Sequence, residues 1–592
     1  MLFLAPVPKK LTYTDGTFTV KPGTALKLLT GEGYEPTDLS SAAKRIKMPL
    51  DLALTDTVKV PASLTIKADM NADIPCEGYT LSVKPTGITI NASTPQGAFY
   101  GACTLAQIYD QCGDTIPCME IEDAPDMGVR GVMLDVSRDK VPTMETLKEI
   151  IDKLASMKIN QFQMYMEHTF KYLNHPTVWK NASPVSAEEI LELQDYCEER
   201  FVELVPNQNS FGHMERWLKF DEYRPLADSP NGGESFWGHF DDPFSLCPID
   251  PKAKEFINSL FDELLPCFKS DLFNVGCDET KELGYEGSRS KNLCDQVGTG
   301  RVYIDYIKNL HKEVTARGKR MMFWGDIIIK YPELIPEIPE DAIVLEWGYD
   351  AKHPFAEHCP KFAETGLDFY VCPGTSNWCS IAGRTTNMIE NIKNAAKVGL
   401  ANGTLGMLNT SWGDRGHQDP LPVTWPGFMV GAMASWNAEK VENVPETLSA
   451  CVFGDNTGKT GKVICDMGDA HLVFNNTIGN SSVPWHLVFN PSEHSVKYVT
   501  AETLNDAEAY MKDIDVRIAE LDCDEKLMKE ITYVSALLKL AVKCGRAFLA
   551  GKTKDDLKAD YDEIKKRHRE VWLLRNRPGG LEDSVNWFTT YK

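Results

Sequence analysis

The sequence predicts an α/β fold: a (β/α)₈ barrel, preceded by a small α+β domain and followed by a helical region. Three observations predict it. Eight short apolar runs alternate with amphipathic helices between about residues 126 and 430. The stretch before them reads as alternating strands with turns. Beyond about 430 helical periodicity continues without strands.

The first segment, 1–125, carries a hairpin signal in Leu81–Lys84 and Ile88–Ile90, which flank the turn Pro85-Thr86-Gly87. A helix is expected from about Thr94 to Tyr109, with Ala98, Ala102 and Leu105 on its buried face. The second segment, 126–430, holds eight strand candidates: Gly131–Val136, Gln161–Met166, Val202–Pro206, Leu272–Gly276, Arg320–Trp324, Ile343–Trp347, Phe369–Cys372 and Leu405–Leu408. The intervening helices announce their starts. Thr143 caps a helix with Leu147, Ile150, Ile151 and Leu154 on one face, and Ser186-x-x-Glu189 is a capping box. Eight such units close a barrel. A doubly wound open sheet is the competing fold, but its glycine fingerprint is missing. Residues 214–250, rich in aromatics, exceed one crossover helix and are read either as a lid or subsite wall or as a packing insertion. The third segment, 431–592, predicts long helices at 493–520, 524–550 and 553–575.

At 592 residues the chain exceeds what one core serves, and 43% hydrophobic with 25% charged residues marks an ordered globular chain. A formal net charge of −23 disfavours nucleic acid and anionic membranes as partners. The first residues show no leader pattern and no apolar run reaches membrane-spanning length, so a cytoplasmic location is expected. The 16 cysteines are scattered without a CxxC pair, which fits a reducing compartment. HExxH, Walker A and paired CxxC motifs do not occur, so neither a metal nor another cofactor is expected.

Chemistry in such barrels sits at the C-terminal ends of the strands. Those positions offer Asp135 and Arg138, Glu167 and His168, then Asn207, Asn209 and His213. Next come Asp278 and Glu279, Trp324 and Asp326, Glu346 and Trp347, Asn377 and Trp378, and Trp412 and Asp414. Tryptophan platforms among carboxylates and amides suit a sugar, which presents apolar C–H faces rimmed by hydroxyls. Asp278 and Glu279 end an apolar strand, where an unpaired carboxylate is costly without a purpose. Strict alternation sends adjacent side chains to opposite faces, so both reach one pocket only if the chain bends there.

At these residues the sequence resembles the family 20 glycoside hydrolases, the β-N-acetylhexosaminidases. Arg130-Gly131-Val132-Met133-Leu134-Asp135-Val136-Ser137-Arg138 matches the family's first-strand motif, and Asn274-Val275-Gly276-Cys277-Asp278-Glu279 is similar to its His-x-Gly-Gly-Asp-Glu. Gly212-His213, Trp324-Gly325-Asp326 and Trp412-Gly413-Asp414 resemble further family motifs. The resemblance implies an exo-acting, retaining hydrolase of terminal β-linked N-acetylhexosamine, working by substrate assistance on an amino-sugar glycoside or oligosaccharide. It assigns Glu279 as acid/base and Asp278 as the group orienting the 2-acetamido arm. Arg138 and Asp414 would bind sugar hydroxyls, and Trp324, Trp347 and Trp412 would wall the ring. Asp326, Asn377 and Trp378 complete the expected substrate contacts, with His213 beside the acid. Two departures stand out. The Asp that partners the strand-three His is replaced in the stretch Tyr165-Met166-Glu167-His168, where Glu167 is the substitute. The strand-seven Tyr for the acetamido carbonyl has no clear counterpart, Tyr370 lying too far inside its strand. The alternatives are a retaining β-glycosidase with Glu346 as protein nucleophile and a catalytically inactive carbohydrate-binding barrel. The tail containing Trp587 is read as a helix stop with a packed strand, or as a segment completing a neighbouring copy's site in a homodimer.

Overall fold

The computed structural model describes residues 2–53, 63–475, 478–552 and 554–588. Among them, seven strands form an N-terminal sheet: β1 (Lys10–Thr19), β2 (Thr24–Thr30), β3 (Leu50–Ala53), β4 (Leu64–Ala68), β5 (Tyr79–Lys84), β6 (Gly87–Ala92) and β7 (Thr115–Asp123), in the order β1-β7-β5-β6-β4-β2-β3. The expected hairpin is β5 with β6, antiparallel, with Lys84 opposite Gly87. Tyr79, Leu81 and Val83 turn inward and the residues between them face outward, the alternation a one-sided sheet requires. The helix Pro95–Cys112 covers that face, and the Thr94 hydroxyl caps it by accepting the Gly97 N–H at 3.0 Å. A Cβ at Gly101 would collide with Ile90 and Tyr79, so glycine sets how closely helix and sheet approach.

Eight parallel strands follow: β8 (Val129–Asp135), β9 (Gln161–Tyr165), β10 (Glu203–Val205), β11 (Leu272–Asn274), β12 (Arg320–Trp324), β13 (Ile343–Trp347), β14 (Asp368–Cys372) and β15 (Gly406–Ser411). They run in the order β10-β9-β8-β15-β14-β13-β12-β11. The ring closes between β10 and β11, where Gln208 N–H donates to the Asn274 carbonyl and Asn274 N–H to Pro206, each at 3.0 Å. This is the predicted (β/α)₈ barrel. The helices Met144–Ser156 and Ala187–Glu198 start at Thr143 and Ser186 with the expected caps. The fifth crossover departs from the ideal: two 3₁₀ segments, Ile328–Lys330 and Pro332–Glu337, stand where an α-helix belongs. Pro332 and Pro336 remove backbone donors there. The last barrel helix, Trp425–Trp436, is buried all round and packs on β8 and β15, so the barrel extends past 430.

Helices then run from Val444 to Asn586, including Ala501–Ile518, Glu525–Leu549 and Lys558–Trp572. The second and third correspond to long helices expected, whereas the first expectation, 493–520, is split into a short helix, Glu493–Val496, and the helix that Thr500 caps; Thr553, the first residue of the third expectation, lies outside the described residues. The tail forms a helix, Leu581–Asn586, not a strand. Trp587 packs toward Trp485 and would be struck by a Cβ at Gly416, within its own chain. Among the described residues no helix is long and apolar enough to cross a membrane.

Candidate active site

The site is built around a turn at the exit of β11. Gly276, Cys277 and Glu279 all have positive φ (68°, 72° and 47°), which ends the strand two residues before the expected Gly276. This is the bend that lets Asp278 and Glu279 share one side of the sheet. Glycine at 276 is required twice, by its φ and because a Cβ would collide with Asn209. Asn274, which stands where the family has His, braces the turn by accepting the Gly276 N–H at 3.0 Å and donating to Gln163 at 3.0 Å. Gly212 lets the next loop touch the turn, since a Cβ there would strike the Asp278 carbonyl.

That contact delivers His213. Its Nε2 lies 3.2 Å from Asp278 Oδ2 and 3.4 Å from Glu279 Oε2, while Arg138 Nη2 approaches Nδ1 at 3.2 Å. Burial works against a charged imidazole, yet the Asp278 and Glu279 contacts outweigh it and hold the His213 pKa well above its ordinary value. Arg138 opposes them, because its positive charge disfavours a second cation beside it. The arginine is itself clamped: Nη1 is 3.2 Å from Asp135, Nε is 3.2 Å from Glu167, and the guanidinium rests over Tyr165 and Trp412. Glu167 therefore does not replace the missing Asp as the partner of His213. Its Oε1 is spent on Arg138 and on the Tyr165 hydroxyl at 3.0 Å. Burial pushes Glu167 up to about 7, with Arg138 pulling down and Glu215 adding to the rise. Glu167, His213 and Glu215 have metal-ligand spacing, but Arg138 already pairs with Glu167 and abuts the His213 ring.

Asp326 accepts the Glu279 N–H on Oδ2 at 3.2 Å, so it shapes the turn while its Oδ1 stays without a partner. Burial first, then the charges of Asp278 and Glu279, lift Asp326 to about 7. Asp414 sits beside Arg138 at the exit of β15; burial raises its pKa and Arg138 opposes the rise.

A ring wall faces this charged turn. Trp412 packs against Trp324 (6.1 Å), edge-on to Tyr165 (4.7 Å) and against Tyr349 (6.4 Å), and Tyr349 stacks on Trp347 at 5.0 Å. The indole nitrogens of Trp324, Trp347 and Trp412 and the Asp278 Oδ1 are buried without a hydrogen-bond partner in the chain. Native interiors rarely leave such groups idle, so their concentration at one barrel end marks a ligand site.

Three sequence expectations are corrected. Asn377 is fully buried and committed: its amide donates to the Trp412 carbonyl (3.1 Å) and Asp419 (2.8 Å), and its oxygen accepts from Thr375 and Ser411. It holds the wall and has no donor left for a sugar. Trp378 is 2% exposed, gives its N–H to Asn480 at 3.0 Å and backs Tyr349 from behind. Glu346, the alternative nucleophile, has its Oε1 taken by His353 (2.9 Å) and His358 (2.6 Å) while its neighbour Trp347 joins the ring wall. Burial alone would lift the Glu346 pKa, but the two imidazole contacts hold it below the usual range. Tyr370 is buried inside β14, paired in register with Gly406 at the start of β15. The residue the sequence reading missed is Tyr349, whose hydroxyl lies by Thr410 and Trp412 and whose pKa burial raises far above its ordinary value. Its signal was the run Glu346-Trp347-Gly348-Tyr349, which puts a second ring just past a strand end.

The 214–250 insertion divides in two. Trp217 and Tyr223 are buried in an aromatic cluster with His175 and Phe256, which is packing. Phe244 lies edge-on to His213 at 4.7 Å, Trp237 lies against Phe244, and Phe236 against Trp237. Lys281, two residues after Glu279, lies over Phe244, Phe240 and Trp237. With Phe236 44% and Trp237 55% exposed, this half forms an aromatic rim beside the turn that carries Asp278 and Glu279.

The model of the glycosyl hydrolase family 20 catalytic domain matches residues 128–398, and that of the family's domain 2 matches residues 2–124. The chain belongs to glycosyl hydrolase family 20. It is 26% identical over 362 residues to a beta-hexosaminidase of Porphyromonas gingivalis, a match covering 55% of this chain and 45% of that protein. It is 25% identical to a lacto-N-biosidase of Bifidobacterium bifidum, covering 59% of this chain and 31% of the other. The chain thus matches less than half the length of these two relatives. In fold it is similar to the chitobiase of Flavobacterium johnsoniae, with a TM-score of 0.62 at 18% identity over 99% of both chains.

Proposed function

We propose that this chain is an exo-acting retaining glycoside hydrolase that releases terminal β-linked N-acetylhexosamine from an amino-sugar glycoside. The observation that carries the reading is Asp278 Oδ1, buried and unpartnered beside Glu279 at the foot of the ring wall. A buried carboxylate oxygen without a donor suits a substrate N–H, and the acetamido group supplies one. The 2-acetamido oxygen attacks the anomeric carbon as the glycosidic oxygen leaves with the proton of Glu279. Asp278 accepts the acetamido N–H and stabilises the positive charge of the oxazolinium-type intermediate. Glu279 then removes a proton from water, which opens that ring and returns the β-anomer. Arg138 and Asp414 hold sugar hydroxyls, Trp324, Trp347 and Trp412 enclose the ring and its acetamido arm, and Tyr349 offers its hydroxyl to the acetamido carbonyl.

Hydrolysis of p-nitrophenyl N-acetyl-β-glucosaminide and galactosaminide, set against the plain glucoside and galactoside, tests the reading. Turnover confined to the acetamido substrates is expected. Glu279→Gln and Asp278→Asn should each lose on the order of 10²- to 10⁴-fold in kcat. Equal turnover of the plain glycosides would overturn substrate assistance.

A further inference from the structure

On the helix side of the ring wall lies a cluster that the proposed reaction does not use. Glu346 Oε1 meets His353 Nε2 at 2.9 Å and His358 Nδ1 at 2.6 Å, and one ligand-capable atom from each residue lies within 4.8 Å of the others. The three residues come from three elements: strand β13, the loop that leaves it, and the helix Phe355–Ala363. The glutamate side chain is 2% exposed and the two imidazoles 19% and 23%, so the cluster is buried at its base and open on one side.

The surroundings fix these groups. Gly348 gives His353 its room, since a Cβ there would collide with the imidazole, and Phe355 packs edge-on to the same ring at 4.5 Å. The loop backbone is held by a ladder of asparagines from the helix Thr385–Ala401. Asn387 bonds Tyr349 and Ala351, Asn391 bonds Gly348 and Asp350, and Asn394 bonds Ala351 and His353. Two imidazole nitrogens and one carboxylate oxygen, converging from preorganised elements with one open side, are a donor set suited to zinc. A tetrahedral ion with bonds of about 2.0–2.2 Å separates its ligand atoms by roughly 3.3–3.6 Å, so the two imidazoles would draw back from the Glu346 oxygen by about 0.4–1.0 Å to admit it.

We propose that Glu346, His353 and His358 form a binding site for a divalent transition-metal cation, zinc by their chemistry, with a fourth position left for water. The ion fastens the exit loop of β13 to the helix that follows it. Trp347 and Tyr349 belong to the same stretch, so the site steadies one side of the ring wall without touching the reacting groups. This inference stands apart from the reading of the active site, because metal uptake is measured without turnover.

The test uses the full chain, stripped with a chelator and titrated with zinc against a chromophoric chelator, and separately with cobalt(II). Wild type is expected to take up about one equivalent more zinc than His353→Gln/His358→Gln and to show cobalt d–d bands that the double variant lacks. Zinc should also raise the thermal midpoint of wild type alone. Equal uptake and an equal midpoint response in both proteins overturn the site. If the double variant does not fold, the near-isosteric Glu346→Gln decides: uptake lost supports the site, and uptake unchanged overturns it.

Discussion

Three carboxyls, Asp278, Glu279 and Asp326, crowd one turn, and neighbouring like charges resist ionising together. Asp326 absorbs the conflict, lifted to about 7 by burial and by its two neighbours. The sign follows from proton counting. An unfolded Asp releases its proton near 3.9, so between about 4 and 7 the native chain binds the extra proton. Asp326's contribution to stability is therefore fully present below that window, falls as pH rises through it, and is gone above it. Asp326→Asn fixes the neutral form. The variant should show a flatter dependence of urea stability on pH and stand roughly 1–3 kcal/mol above wild type at pH 8. Parallel curves for the two proteins would show that Asp326 does not titrate there. Much of the site was legible at this scale, because alternation demanded a bend at Asp278 and Glu279 and the positive φ values supply it. Asn377 was not legible: a sequence cannot say whether an amide at a strand end is free or spent on a backbone carbonyl. The His353–Glu346–His358 cluster escaped for a related reason, since its spacing, Glu-x₆-His-x₄-His, acquires meaning only when strand, loop and helix fold together.

Elements show the same division between local and tertiary information. Strands β12 and β13 coincide with the expected runs, and Thr143 and Ser186 start their helices as read, because periodicity and caps are local signals. The fifth crossover carries 3₁₀ turns where topology alone calls for a helix, because a pair of prolines in a short segment removes backbone donors. The 214–250 insertion was ambiguous for a better reason: its two halves do different things. One half fills an aromatic core, and the other hangs Phe236 and Trp237 in solvent beside His213. On the proposed reaction that rim meets whatever is attached to the departing oxygen, since it adjoins the acid Glu279. Trp237→Ala should raise KM for N-acetylated disaccharides by roughly three- to tenfold, the worth of one lost stacking contact, with kcat little changed. Initial-rate kinetics on such disaccharides read this directly; a fall in kcat at unchanged KM would instead tie the rim to the chemical step.

At the scale of the whole molecule, both flanking regions brace the barrel. The C-terminal helices reach the exit of β15, where Ser584 donates to the Gly416 carbonyl two residues after Asp414, and Arg577 pairs with Glu189 on a barrel helix at 2.8 Å. The N-terminal sheet is tied in by buried charge. Arg130 pairs with Glu77 and lies over Tyr100 and Trp436, so this part of the first-strand motif joins two domains and does not serve the pocket. Deeper still, Lys158 meets Asp123 at 3.0 Å with both side chains fully buried, and Asp123 also accepts from Tyr79 (2.6 Å) and Trp436 (2.8 Å). Removing one member of a buried pair strands the other, whereas removing both charges relieves the desolvation they share. Lys158→Met is therefore expected to cost about 3–5 kcal/mol. Lys158→Met/Asp123→Asn should recover at least half of that loss, because the amide oxygen still accepts from the indole while its NH2 donates to the Tyr79 oxygen, whose own proton turns to Thr104. Denaturant unfolding of the two variants beside wild type measures the difference. A double variant no more stable than the single one would mean that the junction depends on the lysine's packing and not on its charge.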